Sequence, residues 1–256
     1  MGAQIRGQAQ YRVSFLIDIV GSIAFGVLDL VTVVVLFRVT PTLTGFTFPE
    51  VFLMTALAST AFGLADLVVG NVERLRVYVR SGLFDAVLVR PLGALWQLAA
   101  LDLAPRRVGR IVVCAVILTA AAAQAGIPAA PASIGLLAVA PIAGAVIFGS
   151  VFVATASVAF WWVESGELGN ALTYGGHDFT AYPITIYGPM FRRLFAYGLG
   201  FAFVAYYPAL ALLDRADPLG ASRALGYASP LIAGLAAVAA SAIWRTGIRH
   251  YRSTGS

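Results

Sequence analysis

The residue types that could do chemistry are few in this chain, and their spacing narrows what they could do. His177 and Asp178 are neighbours in GGHDFTAYPITIYGPMFRR, the pairing that a general base and its orienting carboxylate would need. No serine or cysteine nucleophile stands near them in the chain. The other histidine, His250, lies in the C-terminal tail, and two distant histidines make neither a triad nor a metal site. Cys114 is the single cysteine and sits in an apolar run, which excludes an intrachain disulfide framework and argues against a thiol-built metal centre. None of the 17 basic residues is lysine. A P-loop ATPase needs a Gly-rich turn ending in Gly-Lys-Ser/Thr, whose lysine contacts the nucleotide phosphates, so this chain does not hydrolyse ATP by that route. It also has no soluble stretch long enough for a nucleotide-binding domain.

The elements that must position these residues are set by the composition. The chain of 256 residues is 60% hydrophobic and only 11% charged, with mean hydropathy +0.86. Soluble domains carry about 25% charged residues, so the expected solvent is a bilayer. At ~20 apolar residues per crossing, the length suits one all-α integral membrane domain over residues 1–256 with six transmembrane helices. The spans are expected at about Phe15–Phe37, Val51–Gly70, Arg110–Gly126, Pro131–Trp162, Leu194–Leu213 and Ala228–Trp244, with kinks at Pro141, Gly149 and Pro208. Six spans put both termini on one side, and the arginines choose it. With the N- and C-termini cytoplasmic, 14 arginines fall inside and three (Arg38, Arg215, Arg223) outside, as the positive-inside rule requires. The net charge of +5 is therefore read as topology and lipid-headgroup contact. A nucleic-acid role needs a basic face on a soluble surface, and none is evident.

Three acids fall in the expected spans: Asp18 and Asp29 in the first, Asp66 toward the inner end of the second. A carboxylate in hydrocarbon is costly and faces a cavity or a partner. These three either line a path that favours cations, or pair with an arginine or hydroxyl, or are protonated. Glu164 and Glu167, past the fourth span, meet arginines or are solvated loop charges. The segment from Tyr174 to Arg193 carries breaks at Gly175-Gly176 and Pro183 and is too polar to span, so it is placed at the inner interface. The loop DRADPLGASRALGYASP is either an outer gate or an ordinary connector.

Between the second and third spans lies RSGLFDAVLVRPLGALWQL, residues 80–98. Leu83, Val87, Leu88 and Leu92 repeat at three- and four-residue spacing with Phe84 beside them, and Arg80, Ser81, Asp85 and Arg90 fall off that stripe. This predicts an amphipathic helix on the inner interface, broken at Pro91. Such a helix is a connector, or a rod that docks a cytoplasmic motor.

RSGLFDAVLVRPLGALWQL resembles the inside-loop motif of ABC-2-type exporter permeases, in the branch of small six-span permeases encoded with a separate ATPase. YPITIYGPMFRRLFAYGLGFAFVAYYPALALLDR is similar to that branch's Tyr-Pro…Arg…Tyr-Pro-Ala pattern, and WRTGIRHYRSTGS to its C-terminal signature. The resemblance runs from about Gly70 to the end; the lead-in, Met1–Gln10, is shorter than the family's interfacial helix. It implies a non-catalytic, multi-pass permease of the bacterial inner membrane. Two copies of an ABC ATPase subunit would dock beneath it and bind ATP and Mg, and a second permease, a sister chain or itself, would pair with it. This chain itself would bind no cofactor and no metal. Coupling to the ATPase is expected at Arg80, Ser81, Gly82, Asp85, Arg90 and Pro91, and the substrate path at Asp29, Asp66, Tyr187, Phe201 and Tyr207. The rival classes are a membrane-embedded lipid-active enzyme and a structural membrane partner without transport.

Overall fold

The computed structural model describes residue 21, residue 28 and residues 31–100 and 105–252. Most of the expected first span, with Asp18 and Asp29, lies outside the described residues. Those described are helical, and no strand occurs among them.

Helix α1, over 31–39, ends before Thr40-Pro41. A turn follows in which Leu43 and Phe46 exchange both backbone hydrogen bonds, at 2.8 and 3.0 Å. Helix α2, Phe48–Val69, starts there with Pro49 in its first turn, where the missing amide is harmless. Glu50 Oε2 reaches back to accept from the Thr47 amide at 2.7 Å, as in a capping box. The helix does not stop at Gly70 as expected. It passes through a 3₁₀ turn, Gly70–Arg74, into α3, Leu75–Arg80, a helical run of 33 residues. Arg74, Arg76 and Arg80 thus ride on the span itself rather than in a loop.

The loop segment forms two short helices, α4 (Leu83–Leu88) and α5 (Ala94–Ala99). Helices α6 (Pro105–Gln124) and α7 (Pro131–Ser157, prolonged by a 3₁₀ turn to Phe160) follow, and α11 (Ser229–His250) closes the described chain. The most apolar stretch of α2 is 72% buried, against 22% each for α6 and α11, so α2 is the central post and the other two turn apolar faces outward. Gly144 of α7 permits close approach to α2, since a Cβ there would come within 2.8 Å of Ala61.

Two elements depart from expectation. Residues 174–193 do not lie along the arginine-rich interface. Helix α8, Gly166–Thr180, carries Gly175-Gly176 in its interior and runs from one end of the bundle toward the other. Its contacts climb α2 in order. Gly166 lies against Arg76 and Tyr174 against Phe62. His177 lies beside Ser59, and the Ala181 carbonyl accepts from Thr55. Beyond the helix, Thr185 meets Thr44 past the far end of α2.

The stretch expected as the fifth span is bent into two arms, a broken span or a re-entrant hairpin. It descends through α9 (Pro189–Arg192) and a π turn (Arg193–Gly198), and reverses at Gly200. It returns through a 3₁₀ turn (Phe201–Phe203) and α10 (Tyr206–Leu212). The two arms bend by 66°. Phe201, at the bottom, touches Phe148. Tyr206 is back beside Phe46, and Arg215 reaches Glu50 and the Gly45 carbonyl. Both arms therefore open at the Glu50 end. The reversal sits at Gly200 (φ +77°), a backbone state that favours glycine. Pro208, expected to kink a span, falls in the first turn of α10 and breaks nothing.

Four described helices are long and apolar enough to cross a membrane, and the bent pair would be a fifth only if it were one span. α8 escapes that criterion because it is short and polar.

Candidate functional site

The α4–α5 segment is built at the Arg80 end. Ser81 Oγ donates to the Val77 carbonyl at 2.7 Å, closing α3. Gly82 (φ +71°) turns the chain in the left-handed region, which a side chain there would strain. The expected single stripe is split between two sides. Phe84 and Val87 point inward and are buried, while Leu83, Leu88 and Leu92 are exposed. Pro91 lacks an amide donor. Gln97 Nε2 closes the break instead, donating to the carbonyls of Val87 (2.9 Å) and Leu92 (2.6 Å). The result is two short rods at a fixed angle rather than one.

Phe84, fully buried, fastens α4 to the bundle. Its ring lies 5.3 Å from Phe160 at the end of α7 and 5.0 Å from Tyr251 after α11. Phe160 in turn meets Trp244 at 5.4 Å. Gly247 admits that ring, since a Cβ there would lie 2.4 Å from it. Burial pushes the Tyr251 phenol pKa up, and the negative charge of neighbouring Asp85 adds to it. α5 is fastened separately, by Asn71 Nδ2 donating to the Ala99 carbonyl at 3.1 Å and by buried Leu98. A push on these two rods therefore reaches α2, α7 and α11 together.

Their outer side is apolar with basic flanks. Val89 is 86% exposed and Leu92 and Trp96 are also exposed, as are Arg90 and Pro91. Arg80 pairs with Glu164 at 3.3 Å, both side chains well in solvent, so that pair contributes little stability. Asp85 is half-buried on the inner side.

The path candidates fall in three places. Asp29 lies outside the described residues. Asp66 is paired: Arg107 Nε lies 3.4 Å away, and Arg107 also donates to Asn71 Oδ1 at 3.1 Å. Phe201 and Tyr207 are buried in the hairpin. The Tyr207 hydroxyl lies 3.2 Å from that of Tyr197, and Tyr207 lines a small cavity shared with Asp214, Arg215 and Asp217. Tyr187 is half-buried with its ring 4.4 Å from Phe179. Burial is the main cause that pushes its phenol to about 12, with Tyr182 and Asp178 adding. The structure thus brings Tyr187, Phe201 and Tyr207 into one half of the bundle and keeps Asp66 in the other.

A constellation that the sequence did not reveal joins α2 and α8. Ser59 Oγ lies 3.4 Å from His177 Nε2, and His177 Nδ1 lies 3.6 Å from Asp178 Oδ1. The order is that of a hydrolase triad. Ser59 and His177 are buried, however, and Phe62 and Phe148 pack on the imidazole at 4.7 and 6.5 Å. A substrate carbonyl has no approach to that serine, so the pair serves to satisfy buried polar groups. The signal that could have found it is the three- and four-residue recurrence of Glu167, Ala171, Tyr174-Gly175 and Asp178 along a helix long enough to cross much of the bundle.

A protein-family model described as ABC-2 family transporter protein matches residues 23–255. No curated protein and no solved structure matches the chain.

Proposed function

The chain belongs to the ABC-2 transporter family, a family of membrane transport components, and from that premise we propose that it is the permease subunit of an ATP-driven exporter. Its own residues hydrolyse nothing. Two copies of a separate ABC ATPase dock beneath the α4–α5 rods and supply ATP and Mg, and a second permease, identical or sister, completes the path. The observation that carries this reading, beside the family match, is the pairing of an exposed knob with a buried anchor. Val89, Arg90, Leu92 and Trp96 offer an apolar and basic surface to a cleft in the motor. Phe84 ties the same segment to α7 and to the chain end after α11. ATPase closure pushes the rods, and the span ends move with them.

In this reading both termini are cytoplasmic and the protein sits in the bacterial inner membrane. It crosses six times, with the first crossing before residue 40 and the fifth at α8. The hairpin α9–α10 caps the outer end. Entry is by alternating access or laterally from the inner leaflet.

The test is purification from mild detergent with the candidate ATPase co-expressed, comparing the intact chain with Val89→Asp plus Arg90→Glu. Both residues are exposed, so folding is spared. The expected result is stoichiometric ATPase with the intact chain and its loss from the variant. Equal recovery from both would make α4–α5 a connector.

A further inference from the structure

Helix α8 crosses the bundle with a polar side turned out. Glu167, Ala171, Tyr174, Gly175 and Asp178 are all exposed and recur at three- and four-residue spacing, so they form one stripe along the helix. Its far side is buried by Gly176, which sits against the Phe201 ring, and by His177 and Phe179.

The depth of Asp178 follows from its neighbours. His177 lies beside Ser59, and Ser59 falls midway between the ends of α2, Phe48–Val69. At 1.5 Å per residue, about 15 Å of apolar helix lie on either side. Asp178 therefore sits near the middle of the apolar layer with its side chain 80% exposed. Among the described residues no arginine pairs with it; His177, 3.6 Å away, is its ion-pair neighbour. A carboxylate so placed is not presented to lipid tails. Water or another polar surface must cover it.

We propose that the α8 stripe lines a water-filled path and that Asp178 selects organic cations there. The charge of the solute rests on the carboxylate, and its apolar body lies along the Tyr174 ring, half-exposed one turn away. This rests on the transport reading and names the substrate class it would take. The lining of the path by α8 also explains why a crossing helix holds so few apolar residues on one side.

The single cysteine, Cys114, makes a clean test. In the Cys114→Ala chain, assembled with its ATPase in membrane vesicles, Gly175→Cys places a thiol in the stripe, where a Cβ meets nothing within 4 Å. The probes are a cationic trimethylammonium-ethyl thiosulfonate and the anionic sulfonatoethyl analogue. Their rate ratio is normalised to that of a free thiol. Both reagents should label the introduced thiol, with the cation favoured, and Asp178→Asn should lower the normalised ratio by about tenfold. Asp178→Glu should preserve it, and Val238→Cys, exposed on α11, should stay unlabelled.

Absence of labelling in the Gly175→Cys chain overturns the aqueous path. A ratio unchanged in Asp178→Asn, or in Asp178→Gln should the first variant fail to assemble, overturns the role of Asp178. Failure of the ATPase to co-purify speaks against driven transport and is read separately. Labelling of the Gly175→Cys thiol in a chain that recruits no ATPase would leave the path standing and the exporter not.

Discussion

The two ends of the bundle are closed by different physics. At the Glu50 end Arg215 acts as a latch. It pairs with Glu50, donates to the Gly45 carbonyl at 2.7 Å and lies 4.1 Å over the Phe46 ring. At the Arg80 end the closure is aromatic, with Phe84, Phe160, Trp244 and Tyr251 in one cluster. A charged latch is directional and is released when one partner moves. Ring packing has no single release point and transmits displacement, because a packed core resists deformation. In the proposed cycle, the difference would suit an end that opens against an end that is pushed.

The largest expected effect breaks the pushed end. Phe84→Ala removes a fully buried ring, a change that costs about 3–5 kcal/mol in well-packed cores. Thermal unfolding in detergent should show a lowered midpoint. In vesicles ATP hydrolysis should continue while transport falls, since the exposed residues of the proposed docking surface are untouched. Phe84→Leu, which keeps most of the volume, should recover part of both. If Phe84→Ala lost hydrolysis and transport equally, the cluster would be part of the docking surface and not a transmitter.

The latch comes next. Arg215→Ala takes the cation from Glu50 Oε1, while Oε2 keeps its bonds from Thr47; one lost hydrogen bond to a charged group costs about 1–3 kcal/mol. Glu50→Gln with Arg215→Gln removes both charges and should be milder than Arg215→Ala alone. A double variant as damaging as the single would show that the Phe46 contact, not the ion pair, holds this end.

The two ends also differ in how far the sequence discloses them. The Arg80 end was legible only in part: its local signals showed, but the run of helix on to Arg80 and the division into two rods did not. The Pro91 break and the apolar spacing around it each act within a few residues, whereas the turn at Gly82 came only with the structure. Also hidden there was the side each apolar residue faces: Leu83 and Phe84 are adjacent and equally apolar, and only the position of Phe160 decides which is buried. The Glu50 end and α8 were misread for a different reason. Leu194–Leu213 has the composition of a straight span, and hydropathy carries no information on the bend at Gly200. α8 has the composition of a loop because one of its sides is polar, and Gly175-Gly176, read as a break, is a place where Phe201 packs. The Arg107–Asp66 pair was foreseeable as a class, but its partner was fixed by the approach of α6 to α2. Asp178 gained meaning only once Ser59 located its depth.

The smallest effects sharpen the contrast between fixed turn and loose pair at the Arg80 end. Gly82→Ala imposes a Cβ on a residue at φ +71°, at about 1–2 kcal/mol, and should lower the unfolding midpoint without weakening ATPase recovery at saturating concentration. Arg80→Ala removes only an exposed ion pair with Glu164. Its stability cost should be within about 0.5 kcal/mol, because both groups regain water when parted. ATPase affinity is then the informative quantity. If Arg80 serves the fold alone, affinity stays unchanged, and Glu164→Ala behaves identically. If Arg80 also meets the motor, Arg80→Ala weakens docking while Glu164→Ala, which frees the guanidinium, does not. The two single substitutions, read by titration of the ATPase, separate a charge that belongs to the bundle from one that belongs to the interface.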